Sequence, residues 1–224
     1  MKKQSIKILM VDDHPITIDG YKKILTSLNK SEYKYIIETA SNCEDAYNKI
    51  SNSVEINNPY QIIFLDIGLP PAEKLKIFSG EDLGIKIREM SSSSKIIILT
   101  MYNENFRIHN ILKNISPEGL LIKSEVTPQE LFRAFVQVLD EKLYYSQTVN
   151  ALMRKQYGNK VVLDELDRNI LFQLSKGIMT KDLTNYVPLS LAAIEKRKKN
   201  IKITLEVDGG DLILIEKAKE LGFI

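Results

Sequence analysis

"KILMVDDHP", residues 7–15, is an apolar run that ends on two adjacent carboxylates, Asp12 and Asp13. The apolar half reads as a buried strand. Neighbouring acids repel each other, so a counter-charge has to arrive from elsewhere in the chain. Further runs of the same kind follow at "YKYIIETA" (33–40), "YQIIFLDI" (60–67), "KIIILTM" (95–101) and "GLLIK" (119–123). Near-continuous apolar stretches such as "IIFL" and "IIIL" suit strands covered on both faces, as in a parallel sheet. Amphipathic segments separate them. "PITIDGYKKILTSL" sets Ile18, Tyr21, Ile24, Leu25 and Leu28 on one helical face. "CEDAYNKI", "GEDLGIKIREM", "NENFRIHNILKN" and "TPQELFRAFVQVLDEKL" keep the same period. Strands alternating with helices imply right-handed βαβ units and a doubly wound α/β fold over residues 1–143.

The chain has 224 residues, 44% of them hydrophobic, enough for one large domain or two smaller ones. Lys plus Arg is 31 and Asp plus Glu is 29, so the net charge of +2 selects no class of partner. The single cysteine, Cys43, excludes an internal disulfide and fits a reducing compartment. The basic start "MKKQSIKILMVDDHP" carries too short an apolar stretch for a signal peptide. No apolar run approaches the roughly 18 residues of a membrane helix. A soluble, cytoplasmic protein without a membrane partner is expected.

The alternation stops after residue 143. Residues 144–160, polar and carrying Gly158, read as a linker with a helical start. Residues 161–224 show helical pieces only, at 164–176, 180–186, 190–205 and 211–221. Gly177 stands at a helix end, Ser190 at an N-cap, and Asp208 or Asp211 at the start of the last helix.

In an open parallel sheet, ligands bind beyond the carboxyl ends of the strands. Asp12 and Asp13 end the first strand, Asp66 the third, Thr100 the fourth and Lys123 the fifth. Neighbouring strands would gather three carboxylates, a hydroxyl and an ammonium at one rim. Mg²⁺ resolves the repulsion, since it takes oxygen ligands and works with phosphate oxygens. Asp66 can serve as a covalent nucleophile, and the remaining groups suit phosphoryl transfer by positioning and charge neutralisation. Singly, each residue has a plainer reading: a turn-forming Asp, a β-branched strand Thr, a solvated Lys. Their order and spacing favour the joint one. His14, before Pro15, reads as a helix start.

"VDDH", "FLDIGLP", "LTM" and "LLIK" resemble the receiver domain of two-component response regulators, over residues 6 to about 140. The resemblance implies a five-stranded parallel sheet in the flavodoxin-like order 2-1-3-4-5. It implies that Asp66 accepts phosphate from a histidine kinase and that Asp13 binds Mg²⁺ directly. Asp12 would act through water, the Gly68 carbonyl would be a backbone ligand, and Thr100 and Lys123 would hold the phosphoryl oxygens. Two features depart from the family pattern. Leu120 stands where an aromatic switch residue is frequent. The loop "LPPAEKLKIFSGEDLG" (69–84) is longer than usual and reads as a tolerated surface insertion, with kinase contact as the alternative.

The last region holds two helical stretches joined near Val187–Leu189. The second contains "EKRKKNIK", with Lys196, Arg197, Lys198, Lys199 and Lys202 close together. Ile194, Ile201 and Leu205 form an inward stripe, while Lys196, Lys199 and Lys202 drift around the outer face. A basic second helix after a tight turn is what major-groove entry requires, although charge runs often only solvate a helix. From Leu163 onward the region resembles the LuxR-type helix-turn-helix domain of the NarL/FixJ family. By that resemblance Arg197 replaces a frequent histidine, Ala193 a threonine and Glu195 a lysine. Glu195 would repel phosphate or accept from a cytosine amino group. Lys196, Lys198 and Lys199 are the expected DNA contacts, with Lys181 adding a phosphate contact from the second helix.

The expectation is a phosphorylation-dependent transcription factor, not an enzyme, that binds double-stranded DNA and pairs as a homodimer when active. Its alternative is a regulator whose helical domain binds a protein instead. An aspartyl phosphatase would want a second acid two residues after the nucleophile, where Gly68 stands.

Overall fold

The computed structural model describes residues 4–28, 33–157 and 161–224. They form two compact units, one running to Asn103 and from Asn110 to Val149, the other holding Glu104–His109 and the chain from Asn150 onward.

The first unit is a parallel sheet with helices on both faces. Its strands are β1 (Gln4–Val11), β2 (Tyr33–Ala40), β3 (Ile62–Asp66), β4 (Lys95–Thr100), β5 (Gly119–Ile122) and β6 (Tyr144–Tyr145), in the order β2-β1-β3-β4-β5-β6. Its helices are α1 (Pro15–Leu28), α2 (Cys43–Glu55), α3 (Gly80–Met90), α5 (Pro128–Leu139) and, in part, α4 (Asn105–Ile115). The apolar runs of the sequence became its centre: Ile8, Ile62, Ile63 and Ile96 are wholly buried. Each such side chain stabilises by roughly 1.5–3 kcal/mol relative to exposure. On one face α5 contributes Leu131, Phe135 and Val138, with Phe135 edge-on to Tyr35 at 5.2 Å. Register sets the site: Val11 pairs with Leu65, Asp66 with Leu99 and Thr100 with Ile122. The strand ends therefore line up along one rim.

Side chains fix where the helices start. Asn42, Ser79 and Thr127 accept from the backbone N–H three residues on, at the heads of α2, α3 and α5. Their ends are less usual. Asn57, Lys76, Ser116, Glu141 and Glu206 close helical segments in the left-handed region, φ 49 to 65°, without being glycine.

The expected order of five strands is present, with one addition. Tyr144–Tyr145 joins the β5 edge as a sixth strand, in a stretch read from sequence as linker, and α6 (Gln147–Tyr157) follows it. Local bonds explain this. Ser146 N–H donates to Leu120 O at 3.0 Å, and Ser146 Oγ accepts from Ile122 N–H at 3.3 Å. Thr148 gives its N–H and its hydroxyl to Glu125, which anchors the start of α6. Gly158, the other mark of the linker, lies outside the described residues.

The loop over 69–84 is more than a surface insertion. Ala72 and Ile77 bridge each other antiparallel around a 3₁₀ turn, Glu73–Leu75, and left-handed Lys76. Ile77 is wholly buried and Leu69 and Ala72 nearly so, while Glu73, Lys74 and Lys76 face solvent.

In the second unit, α7 (Glu165–Ser175), a 3₁₀ segment Thr180–Asn185, α8 (Leu191–Thr204) and α9 (Asp211–Glu220) surround their own core. Ile194, Ile201 and Leu205 point inward, as their spacing predicts. The stretch expected as the second helix is a short 3₁₀ helix. Helix α9 starts at Asp211, one of the two starts expected, with Gly210 as its N-cap residue. Arg168 is buried without a carboxylate partner among the described residues. Its Nε donates to Leu163 O at 3.3 Å, its guanidinium lies 4.8 Å from the Phe223 ring centre, and burial lowers its pKa. No helix among the described residues is long and apolar enough to cross a membrane.

Candidate functional site

The counter-charge that reaches Asp12 is Lys123. Its Nζ stands 2.8 Å from Asp12 Oδ2 and 2.9 Å from Asp66 Oδ2, where β5 ends beside the rim. All three side chains are largely buried, at 15%, 4% and 7% exposure, so the ammonium acts in a poorly solvated space. Burial alone would push the Lys123 pKa down. Its hydrogen bonds to Asp12 and Asp66 outweigh that and hold it above the ordinary lysine value.

Asp13 lies at the mouth of the pocket. Its Oδ1 is sealed from solvent and accepts no well-directed hydrogen bond, although the His14 ring nitrogen is 2.7 Å away. His14 N–H donates to Asp12 Oδ1 at 2.9 Å. His14 therefore does more than start α1. One ligand atom from each of Asp12, Asp13, His14 and Asp66 falls within 4.8 Å of the others. Carboxylate oxygens at that spacing fit a small divalent cation of the Mg²⁺ class.

Thr100 is fully buried at the end of β4, and its Oγ1 accepts from Tyr102 N–H at 3.1 Å. Its register partner Ile122 directly precedes Lys123. Leu120 is wholly buried within β5, an apolar core residue at the position of the expected switch. Gly68 is exposed, and a Cβ there would stand 3.7 Å from Asp66 Oδ2.

Two further residues bear on the pocket and went unnoticed in the sequence. Gly80 packs against the acceptor backbone: a Cβ on it would lie 2.8 Å from Ile67 Cα and collide with Asp66 O. A glycine right after the cap Ser79, where a better helix former would serve, was the available sign. Tyr21 senses the pocket from α1. Burial pushes its hydroxyl up to about 12, Lys123 opposes that, and Asp12 and Asp66 add to it. Its place on an apolar stripe hid this.

In the second unit, Ser190 caps α8 by accepting from Ala193 N–H at 3.3 Å. Lys181, Glu195, Lys196 and Lys199 are exposed. Other basic residues of α8 are engaged within the unit. Arg197 Nη1 is 2.7 Å from both Asp164 and Asp167. Lys198 donates to Thr180 Oγ1 at 2.6 Å and to Asp211 at 2.8 Å. Lys202 donates to Gly209 O at 2.7 Å. A recess of about 330 Å³ lies between Thr180, Glu195, Lys198, Lys199 and Lys202.

Comparison with known proteins agrees with this geometry. The model of the response regulator receiver domain matches residues 8–135. The oxygen regulatory protein NreC of Staphylococcus haemolyticus is 25% identical over 214 residues, covering 90% of this chain and 92% of that protein. NreC of Staphylococcus carnosus is 24% identical, with 88% and 89% covered. Among solved structures, the two-component response regulator RcsB in complex with DNA shares the fold. Its TM-score is 0.63 at 20% identity, over 96% of this chain and 98% of that one. RcsB of Salmonella enterica serovar Typhimurium, bound to promoter DNA with the phosphomimetic BeF₃⁻, gives 0.62 at 21% identity, over 95% and 97%. The acidic rim closed by one lysine, the sheet order that gathers it and the match over more than half the chain agree: this protein belongs to the response regulator receiver family, with a C-terminal helical unit after the receiver.

Proposed function

We propose that the chain is a phosphorylation-controlled transcription regulator. Asp66 accepts a phosphoryl group from a histidine kinase, and the C-terminal domain binds double-stranded DNA through α8. One observation carries the first half: Lys123 bridges Asp12 and Asp66 while Asp13 stands beside them.

An Asp66 carboxylate oxygen attacks the phosphorus of the kinase phosphohistidine. The P–O bond to Asp66 forms as the P–N bond breaks, and the imidazole leaves with the electron pair. Lys123 turns from its carboxylate partners toward the transferred oxygens and neutralises them. The Thr100 hydroxyl, whose oxygen accepts from Tyr102 N–H, donates its own proton to one of them. Asp12, Asp13 and Asp66, with the Gly68 carbonyl, would hold Mg²⁺, which supplies further charge neutralisation for the phosphoryl oxygens. Little covalent chemistry is asked of the protein beyond the acceptor; placement and charge do most of it.

For DNA, exposed Lys196, Lys199 and Lys181 make phosphate contacts, with Glu195 on the face offered to the bases. The reading draws support from RcsB, which shares the fold and is seen bound to DNA as dimers. A homodimer of this chain would meet a pseudo-palindromic site.

The test of the acceptor is Asp66→Asn with a small-molecule phosphodonor and Mg²⁺. Wild-type protein gains one acid-labile phosphate and the variant gains none; equal labelling of both sinks the assignment. Duplex binding measured against salt tests the output. A steep fall in affinity with rising salt marks phosphate contacts, and a flat profile points to a protein partner.

A further inference from the structure

The acidic rim contains one group that a purely oxygen-liganded cation would not require, the imidazole of His14. Its backbone is pinned. His14 N–H donates to Asp12 Oδ1 at 2.9 Å, and Pro15 opens α1 directly after it. This holds the ring beside the acids, with Nδ1 at 2.7 Å from Asp13 Oδ1 and 3.2 Å from Asp12 Oδ1.

Two features of this contact point to a ligand. First, Asp13 Oδ1 is sealed from solvent, yet no hydrogen bond of good direction reaches it, even with a ring nitrogen so near. Second, the spacing is that of adjacent ligands on one ion: two octahedral bonds of about 2.1 Å at a right angle put their donor atoms about 3 Å apart. Lys123 engages the other side of the pocket, at Asp12 Oδ2 and Asp66 Oδ2. Asp13 Oδ1 and His14 Nδ1, the latter also in hydrogen-bond contact with Asp12 Oδ1 at 3.2 Å, form an O,N pair at the mouth. The His14 side chain is 69% exposed, so an ion can reach it from solvent.

We propose that His14 Nδ1 is a ligand of the divalent cation in the acidic pocket and biases this site toward nitrogen-accepting ions such as Mn²⁺, Co²⁺ and Ni²⁺. The assignment rests on the reading of the rim as a cation site and adds a donor to it. Mg²⁺ gains little from an imidazole, whereas Co²⁺ and Ni²⁺ gain much. A His14 that served only as a hydrogen-bond donor to Asp13 would have no such selectivity.

The experiment uses the full chain. Mg²⁺, Co²⁺ and Ni²⁺ are titrated by calorimetry into wild-type protein and into His14→Asn and His14→Ala. Mn²⁺-loaded samples are examined by pulsed electron paramagnetic resonance for ¹⁴N coupling. Circular dichroism and Mg²⁺ affinity report whether each variant keeps a folded pocket. Replacing His14 should weaken Ni²⁺ and Co²⁺ by about tenfold or more, clearly beyond any change for Mg²⁺. Wild-type Mn²⁺ should show an imidazole nitrogen coupling that both variants lack. Equal weakening of Ni²⁺ and Mg²⁺, or no nitrogen coupling in the wild type, overturns the assignment. Mg²⁺-dependent labelling of wild-type Asp66 is followed in parallel. Labelling without nitrogen coupling sinks only the role of His14, while failure of any dication to bind sinks the cation site with it.

Discussion

A side chain on Gly80 would collide with the carbonyl oxygen of Asp66, its Cβ standing 2.9 Å from the carbonyl carbon. The helix that follows the acceptor thus rests on the acceptor's own backbone, with Gly80 N–H donating to Ile67 O at 3.0 Å. Gly80→Ala must push the end of β3 or the start of α3 aside. Overpacking of this kind costs about 1–3 kcal/mol. The rate of Asp66 phosphorylation should fall more steeply than stability does, by about tenfold for a displacement of order 1 Å. Urea unfolding and phosphodonor labelling of the same protein check both parts; a wild-type labelling rate would refute the prediction.

Removing the ammonium of Lys123 leaves Asp12 and Asp66 buried side by side without compensation. Lys123→Met should destabilise the first unit by roughly 3 kcal/mol and make it depend on divalent cations. Its melting temperature should rise more with Mg²⁺ than that of the wild type. Because the folded pKa of Lys123 is raised, its contribution is fully present below the ordinary lysine value of 10.5 and is lost only as pH climbs through the folded value. The Lys123 ammonium therefore keeps its full contribution in the wild type across neutral pH. Thermal shift assays with and without Mg²⁺ measure each of these.

The ion pairs of Arg197 make the opposite pH prediction. Burial pushes the Asp164 pKa up, but the Asp167 N–H and the Arg197 guanidinium outweigh this and hold it below the usual carboxylate range. A depressed carboxylate stabilises the fold above its unfolded pKa and loses that contribution as pH falls through the folded one. Asp164 is half exposed, so screening limits the effect to below about 1 kcal/mol. Arg197→Gln should lower the stability of the helical unit at neutral pH and shrink the gap to wild type below about pH 4. Melting curves across that range decide it.

Lys198 and Lys199 are neighbours with different tasks. Lys198 ties α8 to Thr180 and Asp211, whereas Lys199 is exposed. Lys198→Ala should cost about 1 kcal/mol of stability through lost hydrogen bonds. Lys196→Ala and Lys199→Ala should each leave stability within about 0.5 kcal/mol. They should weaken binding to all duplexes alike and reduce the salt slope by about one unit apiece. Salt-dependent fluorescence anisotropy on the three variants tests the division.

The sheet and its rim were legible because burial on both faces demands continuous apolar runs, and the polar residue that ends each run had to lie at the rim. Asp12, Asp66 and Lys123 come together on that logic once the strand order is added, and that order was implied by the family resemblance rather than by the runs themselves. The Tyr144–Tyr145 strand was not legible, since two residues carry no periodicity and their pairing depends on Ser146 meeting Leu120 and Ile122. Ile77 in the long loop escaped for a similar reason: its burial follows from a single bridge to Ala72. On α8, spacing separated inward Ile194 from outward Lys199. It could not show that Arg197 and Lys198 are taken up by acids from α7 and α9, because those partners are 13 to 33 residues away in the chain.

Asn57, Lys76, Ser116, Glu141 and Glu206 all turn the chain out of a helical segment in a conformation that glycine adopts without penalty. Glycine at each would relieve steric cost while adding backbone freedom to the unfolded chain, for a net gain of about 0.5–1 kcal/mol per site. None of the five belongs to the acidic rim or to the outer face of α8. The chain thus holds an unspent thermal reserve at its corners, and a hardier version could be made by editing those corners while signalling chemistry stays as it is.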